Sequence, residues 1–310
     1  MNLPGRPAGR LPLKPLLLVM GAAATLYAVL LAVFAEASPL APLRALASTA
    51  GVQAIGLCLL NYLLRGLRWR LWMAHYGRPL SVTEALRLYL AGYTFTPTPG
   101  NVGEAARGLL LARNPLSATQ SLAIFGAERL ADLLSLLLLC LPVAWWLTGL
   151  VGTQLVAGLA GLAALLVLAL AALLFKFRDR FLARFAWLRE AWTCLATQPL
   201  LWLALSLVAW AAQGVAVWLL CREAGLSLTA LEATGFYAVA MVGGALSLLP
   251  AGLGGMEGIL TALLVAHGAS AGLALGLTVQ VRLVTLWLAV AIGALALVYS
   301  AAIRRDISFK

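Results

Sequence analysis

Apolar segments alternate with short polar stretches along the chain, and several of them are long enough to cross a lipid bilayer. A spanning helix needs about 20 consecutive apolar residues. The pattern predicts an all-α polytopic membrane protein with about six full spans, at 15–35, 45–64, 118–147, 153–175, 199–221 and 271–301. No convincing cleavage site follows the first of these segments, so we interpret it as a retained span and not as a signal peptide.

Two further apolar segments, at about 82–113 and 230–267, are broken in their middles. Proline and glycine make the breaks: Pro97, Pro99, Gly100 and Gly103 in the first segment, and Pro250, Gly252, Gly254 and Gly255 in the second. Lipid offers no partner for the backbone groups that such breaks release. We therefore predict two re-entrant hairpins, each made of two half-helices that meet near the membrane midplane. Broken segments in corresponding positions of two halves point to a transporter's binding site.

An internal repeat relates two halves of the chain, which we place at 15–175 and 199–310 after a tail at 1–14. Shifts of 148 and then 153 residues align these pairs: Gly77 with Gly225, Leu80 with Leu228, Glu84 with Glu232, Ala85 with Ala233, Tyr89 with Tyr237, Glu104 with Glu257, and Arg129 with Arg282. A loop, a hairpin break, an acidic residue and a buried arginine thus recur in the same order in both halves. The proline pairing stays open, since Pro250 matches either Pro97 or Pro99.

Composition and charge indicate how these segments sit in a membrane. With 63% hydrophobic residues and a mean hydropathy of +0.97, the chain is excluded from the soluble class. The net charge of +11 fits cytoplasmic loops better than nucleic-acid binding. We expect cytoplasmic termini and re-entrant hairpins, which place Arg44 and Arg222 outside, Arg129 and Arg282 within spans, and the other basic residues toward the cytoplasm. The two halves are then inverted repeats, as in alternating-access transporters.

Two groups of basic and aromatic residues lie near predicted span ends. The segment between the halves, 176–198, is typical of an amphipathic helix on the cytoplasmic membrane face, and a plain linker accounts for it equally well. We interpret the other group as an interfacial collar that anchors the protein and attracts anionic headgroups. The collar comprises Arg65, Arg68, Trp69, Arg70, Trp72 and Arg107.

Ionisable residues in the predicted spans are the candidates for function, because burial in lipid is costly without a partner or a wet cavity. One interpretation is a structural lock, in which Arg129 or Arg282 pairs with the hairpin acids Glu104 and Glu257. The other is a polar cavity, where both arginines attract a phosphate-bearing headgroup through their forked donors. The predicted substrate-binding set is Arg129, Arg282, Arg107, Glu104, Glu128, Asp132 and Glu257.

Some roles within this set stay open. Glu104, Glu128 and Glu257 either neutralise the arginines or exchange protons that couple movement to a gradient. The hairpin glycines either free half-helix amides for an anion or allow close backbone packing. His75 and His267 stand apart, and the sequence contains no metal-ligand cluster or phosphate-loop motif. We therefore expect no cofactor, no metal and no catalytic residue.

Four motifs carry a family resemblance: RGLRWRLW at 65–72, PTPGNVGEAAR at 97–107, ERLADLLSL at 128–136 and SLLPAGLGGMEG at 247–258. Together they resemble the membrane region of the lysylphosphatidylglycerol synthase/flippase family, also called the flippase-like uncharacterised membrane proteins. The resemblance covers nearly the whole chain and implies movement of lipids between leaflets. Members fused to a cytosolic aminoacyltransferase domain add lysine to phosphatidylglycerol. The 310 residues contain no such domain, so the resemblance implies only the translocation half.

Three hypotheses follow from these observations. The first is a non-enzymatic flippase of the bacterial inner membrane that moves an anionic phospholipid or a polyprenyl-phosphate-linked lipid. The second is a scaffold for lipid-synthesis enzymes, and the third is an intramembrane enzyme that acts on a lipid-linked substrate. We expect no nucleic-acid partner, and small residues along several spans allow a homodimer.

Overall fold

The computed structural model describes residues 41–110, 116–151, 185–247 and 249–307, and the single positions 21, 25, 154 and 176. Helices and the turns between them make up these ranges. In chain order the α-helices are α1 (Ala41–Ala45), α2 (Thr49–His75), α3 (Val82–Gly92), α4 (Ala118–Val151), α5 (Ala186–Ala196), α6 (Pro199–Glu223), α7 (Ala230–Leu246), α8 (Gly255–Ala266), α9 (Ala271–Arg282) and α10 (Leu288–Ile307). The predicted tail at 1–14 and spans at 15–35 and 153–175 lie outside the described residues, apart from single positions.

Three stretches of the described ranges are long and apolar enough to cross a membrane, namely α2, α6 and the continuous Ala271–Ser300. Each coincides with a predicted span. α4 has 34 residues and covers the predicted span at 118–147, while α7 and α8 are shorter apolar helices. The prediction of an all-helical membrane protein is confirmed for the described ranges. The number of spans and the re-entrant course of the hairpins stay predictions.

α2 is longer than the predicted span at 45–64, because it continues to His75. The prediction ended the span at the first charged side chains, but those side chains turn into the protein instead of reaching the headgroups. The interfacial-collar interpretation is therefore wrong for five of its six members, which are all buried: Arg65, Arg68, Trp69, Trp72 and Arg107. A charged residue does not end a spanning helix when another helix supplies its partner.

α2 and α6 pack against each other in opposite directions. Three contacts show this: Ser48 Oγ to Glu223 Oε2 at 2.7 Å, Asn61 Nδ2 to the carbonyl of Ala209 at 2.8 Å, and the ring of Trp72 to that of Trp202 at 6.5 Å between centroids. Residue numbers rise along α2 as they fall along α6. Since the two helices occupy corresponding positions in the repeat, these corresponding helices of the two halves run in opposite directions.

The turns after α2 and α6 are built alike. Gly77 and Gly225 have φ of +70° and +82°, a left-handed conformation that favours glycine. Each turn leads into a helix capped by a hydroxyl, Ser81 in α3 and Thr229 in α7. The amide of Thr229 also bonds the carboxylate of Glu232 and holds the pKa of Glu232 below its usual value. The aligned glycines of the repeat therefore have the same structural role.

The first arm of each hairpin packs against a long helix of the other half, α3 against α10 and α7 against α4. Glycines allow both approaches. A Cβ added to Gly293 of α10 would lie 2.6 Å from the backbone nitrogen of Thr94, and one added to Gly235 of α7 would collide with Val143 of α4. Reciprocal contacts of this kind are the mark of a two-fold relation between the halves.

The chain is tightly wound at both hairpin breaks. 3₁₀ helices run over Tyr93–Phe95 and Pro99–Leu110 in the first half, and over Pro250–Gly252 in the second. The stretch Pro99–Leu110 has 12 residues, whereas 3₁₀ runs of more than about four are uncommon. Asn101 and Ala251, one in each break, have φ of +55° and +54°. The two hairpins contact each other through these segments.

A π-helical turn, Leu283–Trp287, joins α9 to α10 directly after Arg282. Such turns are rare, and they frequently occur at functional sites. The hydroxyl of Tyr62 in α2 lies 3.0 Å from the carbonyl of Val284 and 3.1 Å from that of Thr285, so its single hydrogen is shared between them. Tyr62 of the first half thus bonds the π-helical turn of the second half.

We expect Gly77→Ala and Gly225→Ala each to lower the free energy of unfolding by about 1–2 kcal/mol, because each places a Cβ in left-handed backbone. Denaturant unfolding in detergent measures the change. Gly56→Ala is the matched control, since Gly56 lies within α2 and no atom lies within 4 Å of an added Cβ. A loss of stability at only one of the two turns would show that they are not equivalent.

Candidate functional site

Seven charged side chains gather where α2, the 3₁₀ segment Pro99–Leu110 and α4 pack together. We name this group the arginine cluster; its members are Arg65, Arg68, Glu104, Arg107, Glu128, Arg129 and Asp132. Members from one element are three or four residues apart, with Arg129 between the two acids of α4, so each helical face presents its charges to its neighbours. Six of the side chains are 8% exposed or less, and that of Arg129 is 30% exposed.

Asp132 holds the arginines of α2. Its Oδ2 accepts from Arg65 Nη2 at 2.7 Å and its Oδ1 accepts from Arg68 Nη1 at 2.7 Å. The indole of Trp210 in α6 donates to Oδ1 at 3.1 Å, and Nη2 of Arg129 lies 3.2 Å from Oδ2. Three hydrogen-bond donors and the nearby Arg129 surround this carboxylate, which explains how two arginines are carried in a buried part of α2.

Arg107 links the first hairpin to α4. Its Nη2 donates to Glu104, and its Nη1 lies 3.0 and 2.8 Å from the two carboxylate oxygens of Glu128. The guanidinium also lies over the ring of Tyr89, 4.2 Å from the centroid. Gly92 makes room for it, because a Cβ there would collide with the Arg107 side chain. Burial, charge and ring stacking thus fix this side chain in one position.

Arg129 is the cluster member that reaches the surface. Its Nη2 lies 3.3 Å from Glu104 Oε2 and 3.2 Å from Asp132 Oδ2, which is longer than the 2.7 Å between Arg65 and Asp132. Its guanidinium lies 5.3 Å from the ring centroid of Phe125. Longer contacts and greater exposure make its ion pairs the weakest of the cluster.

The charges of the cluster do not balance. Four guanidinium groups face three carboxylates, so one positive charge is in excess within the described part of the chain. In the same part, the Nε atoms of all four arginines and Nη2 of Arg68 have no hydrogen-bond partner. Guanidinium donors in a dry interior gain most from an oxygen anion that accepts several of them at once. The cluster is therefore suited to an anionic ligand.

A cavity of about 10 Å³ adjoins the cluster. Its walls include Trp69, Glu104, Arg107, Ser121 and Glu128. This volume holds about one water molecule, so a phosphate group does not fit. In the described conformation each of the four guanidinium groups has an Nη atom bonded to a carboxylate, and an anion would have to displace these carboxylates to bind.

The second half contains a smaller ionic group. Arg282 Nε donates to Glu257 Oε1 at 2.6 Å, and its Nη2 donates to the carbonyl of Ala251 at 2.8 Å. Glu257 Oε2 accepts from the amide of Gly254 at 2.9 Å. Arg129 and Arg282 thus belong to separate ionic groups, one in each half. The structure brings five of the seven predicted substrate-binding residues together and places the other two in this pair.

The repeat extends to the ion pairs but not to the rest of the cluster. Glu104 and Arg129 are 25 residues apart, and so are Glu257 and Arg282. At the other cluster positions, the same alignment gives uncharged residues in the second half: Gln213, Ala216, Leu260, Val281 and Thr285. Both ion pairs that the structural-lock interpretation requires are present, and the additional charges are specific to the first half.

The glycines of the breaks mainly serve close packing. A Cβ on Gly103 would lie 2.8 Å from Cβ of Phe95, and one on Gly255 would lie 3.0 Å from Ser247. The amide of Gly103 donates to the hydroxyl of Thr98. In the second half, the amide of Gly254 donates to the carboxylate of Glu257. The amides of Gly103 and Gly254 are therefore used within the chain. Of the remaining break residues, Pro97 is buried, and Pro99 and Pro250 begin 3₁₀ segments that contain Gly100 and Gly252.

Sequence reasoning missed Arg65 and Arg68 as members of the site. The signal available was their spacing of three residues, which matches Glu104 and Arg107 and puts both charges on one helical face. Trp210 had no such signal, because a tryptophan in an apolar span is ordinarily a packing residue.

Comparison with known proteins assigns the chain to a family. A family model described as the lysylphosphatidylglycerol synthase TM region matches residues 16–293, which include most of both halves and both ionic groups. The comparison with curated proteins gave no match. The family match and the apolar helices support a location in a membrane and a function connected with membrane lipids. The chain belongs to the lysylphosphatidylglycerol synthase transmembrane-region family.

Proposed function

We propose that this protein is a flippase-like translocator of the bacterial inner membrane, which moves a phosphate-bearing lipid or lipid-linked precursor between leaflets by alternating access. The observation that carries the proposal is the excess guanidinium charge of the buried arginine cluster. A buried unpaired charge is costly, so it is expected where a ligand of opposite charge binds. The proposed cargo is an anionic phospholipid or a polyprenyl-phosphate-linked lipid.

The chemistry of the cluster favours phosphate over other headgroup chemistry. A phosphate oxygen pair matches the planar fork of a guanidinium, and four such forks converge here. The headgroup competes with Glu104, Glu128 and Asp132 for these donors. Arg129 is the first contact, because its side chain is 30% exposed and both of its ion pairs are longer than 3 Å. The acyl or polyprenyl chains remain in lipid throughout.

The arrangement of the halves supports alternating access as the mechanism. α2 and α6 run in opposite directions, and the hairpins contact each other at their breaks. Inverted repeats around a central site allow the two halves to exchange conformations, which exposes the site to one leaflet and then to the other. The lipid leaves chemically unchanged in this mechanism, so the protein is not an enzyme under the proposal.

We expect Arg129→Ala to reduce translocation of fluorescent phosphatidylglycerol in liposomes at least about tenfold, a loss of roughly 1.4 kcal/mol in transition-state stabilisation. A leaflet-accessibility assay with quenching from one side measures the rate. Arg129→Lys should recover only part of it, because an ammonium lacks the planar fork. Arg222→Ala is the matched control, since Arg222 lies at the end of α6 over the ring of Trp218, away from the cluster.

Two outcomes of this assay would contradict the proposal. The first is an Arg129→Ala variant that folds and translocates lipid at the wild-type rate. The second is a wild-type protein that moves no anionic, zwitterionic or polyprenyl-phosphate probe, while another membrane protein co-purifies with it, which favours the scaffold. Turnover of a labelled lipid in detergent, where leaflets do not exist, would favour the enzyme hypothesis.

We expect Arg107→Ala to lower the free energy of unfolding by about 3–5 kcal/mol, because it leaves Glu104 and Glu128 buried without their main partner. Arg129→Ala should cost at most about 1 kcal/mol, since its ion pairs are partly exposed. Thermal unfolding in detergent compares the two. Adding Glu128→Gln to Arg107→Ala should restore part of the loss, because it removes one of the unpaired charges. Equal stability of Arg107→Ala and wild type would show that Arg107 does not hold the hairpin.

A further inference from the structure

Glu128 differs from the other two acids of the cluster in how its oxygens are used. Asp132 accepts from three side chains and has a fourth, Arg129, within 3.2 Å. Glu104 accepts at one oxygen from the Thr96 hydroxyl and at the other from Arg107 and Arg129. Both oxygens of Glu128 share a single nitrogen, Nη1 of Arg107. Glu128 is thus the least satisfied carboxylate of the three.

The nearest further cation does not complete the coordination of Glu128. Nη2 of Arg68 lies 3.9 Å from its Oε1, beyond hydrogen-bond distance, and that nitrogen has no hydrogen-bond partner among the described residues. Glu128 is 1% exposed. The unused acceptor sites of this buried carboxylate therefore remain open to a further hydrogen-bond donor.

A small cavity beside this carboxylate has room for about one water molecule. Glu128 lines it together with the Ser121 hydroxyl and Arg107, whose Nε is unpartnered. Ser121 and Arg107 are 7% and 1% exposed, and the Ser121 hydroxyl also lacks a partner within the described ranges. A water molecule of the size the cavity admits can bond these groups and pass a proton to Glu128. Glu104 lines the same cavity, but separate donors already occupy its two oxygens.

The charged and titratable groups around Glu128 determine what protonation does. They are Arg65 and Arg68 from α2, Tyr89 from α3, Glu104 and Arg107 from the 3₁₀ segment, and Arg129 and Asp132 from α4. These groups and Glu128 together carry one positive charge in excess. A proton on Glu128 raises the excess to two and loosens the hold of Glu128 on Arg107. Both changes favour an incoming anion.

We propose that Glu128 is a proton-binding site, and that it takes up a proton together with the anionic headgroup and releases it when the headgroup leaves. This inference rests on the proposed function and names its coupling ion. The proton comes from bulk water through the cavity, forms an O–H bond with one carboxylate oxygen, and returns to water by the same atoms. By linkage, headgroup binding strengthens proton binding to the same degree that protonation strengthens headgroup binding.

The first test measures translocation of fluorescent phosphatidylglycerol in liposomes with equal pH on both sides, between about pH 5 and 8. For wild type we expect the rate to rise as pH falls, by at most about tenfold per pH unit, which is the limit for one bound proton. Glu128→Gln, which mimics the protonated side chain, should make the rate independent of pH. Glu223→Gln is the control, because Glu223 bonds Ser48 at the far end of α2 and should leave the pH dependence unchanged.

The second test does not depend on translocation. Calorimetric titration of detergent-solubilised wild type with dihexanoyl phosphatidylglycerol, in buffers of different ionisation heats, counts the protons taken up on binding. We expect uptake of up to about one proton per lipid for wild type, and none for Glu128→Gln.

The outcomes separate this inference from the function on which it rests. Binding and translocation without proton uptake, or a Glu128→Gln variant that keeps the wild-type pH dependence, would overturn the proton site and leave the translocator standing. Absence of both binding and translocation for every anionic probe would overturn the proposed function itself.

Discussion

A positive charge in an apolar interior needs a negative partner, and much of this fold depends on that requirement. Asp132 holds the arginines of α2, and Arg107 holds the first hairpin to α4. Trp210 of α6 bonds the same Asp132, so the network also connects the first half to the second. The charges of the first half therefore also hold its packing together, because removal of a buried member leaves its partners buried without an opposite charge.

The second half shows that this architecture does not require the cluster. It repeats the glycine turn and the hairpin, yet it has neutral residues at most cluster positions. Gln213, which corresponds to Arg65, accepts from the hydroxyl of Tyr237 at 2.9 Å, whereas Arg65 donates to the hydroxyl of Tyr93 at 3.3 Å. A neutral side chain at this position can thus also bond a buried tyrosine, although Tyr237 aligns with Tyr89 and not with Tyr93. The proposed anionic ligand would account for the extra charges of the first half.

The sequence was sufficient for the features that depend on local pattern. Apolar length predicted α2, α6 and Ala271–Ser300, and the repeat predicted the paired turns and the matching ion pairs. The sequence was insufficient where a residue far away along the chain determines whether a side chain is buried. Arg65 and Arg68 follow an apolar run and so indicate a span end, and only Asp132, more than 60 residues further along, makes them interior residues. The long 3₁₀ form of Pro99–Leu110 likewise depends on packing that no local pattern records.

The unequal charge of the two halves has an energetic consequence. In a transporter with inverted repeats, the inward-facing and outward-facing forms arise when the halves exchange conformations. Equivalent halves give forms of equal energy. Here an exchange would move seven charged side chains into the environment that now surrounds Glu257 and Arg282, and these into the environment of the cluster. Under the proposed alternating access, the two forms would therefore differ in free energy without any gradient, and the molecule would have a preferred resting orientation. A cargo that carries negative charge would change this preference, so its binding would initiate reorientation.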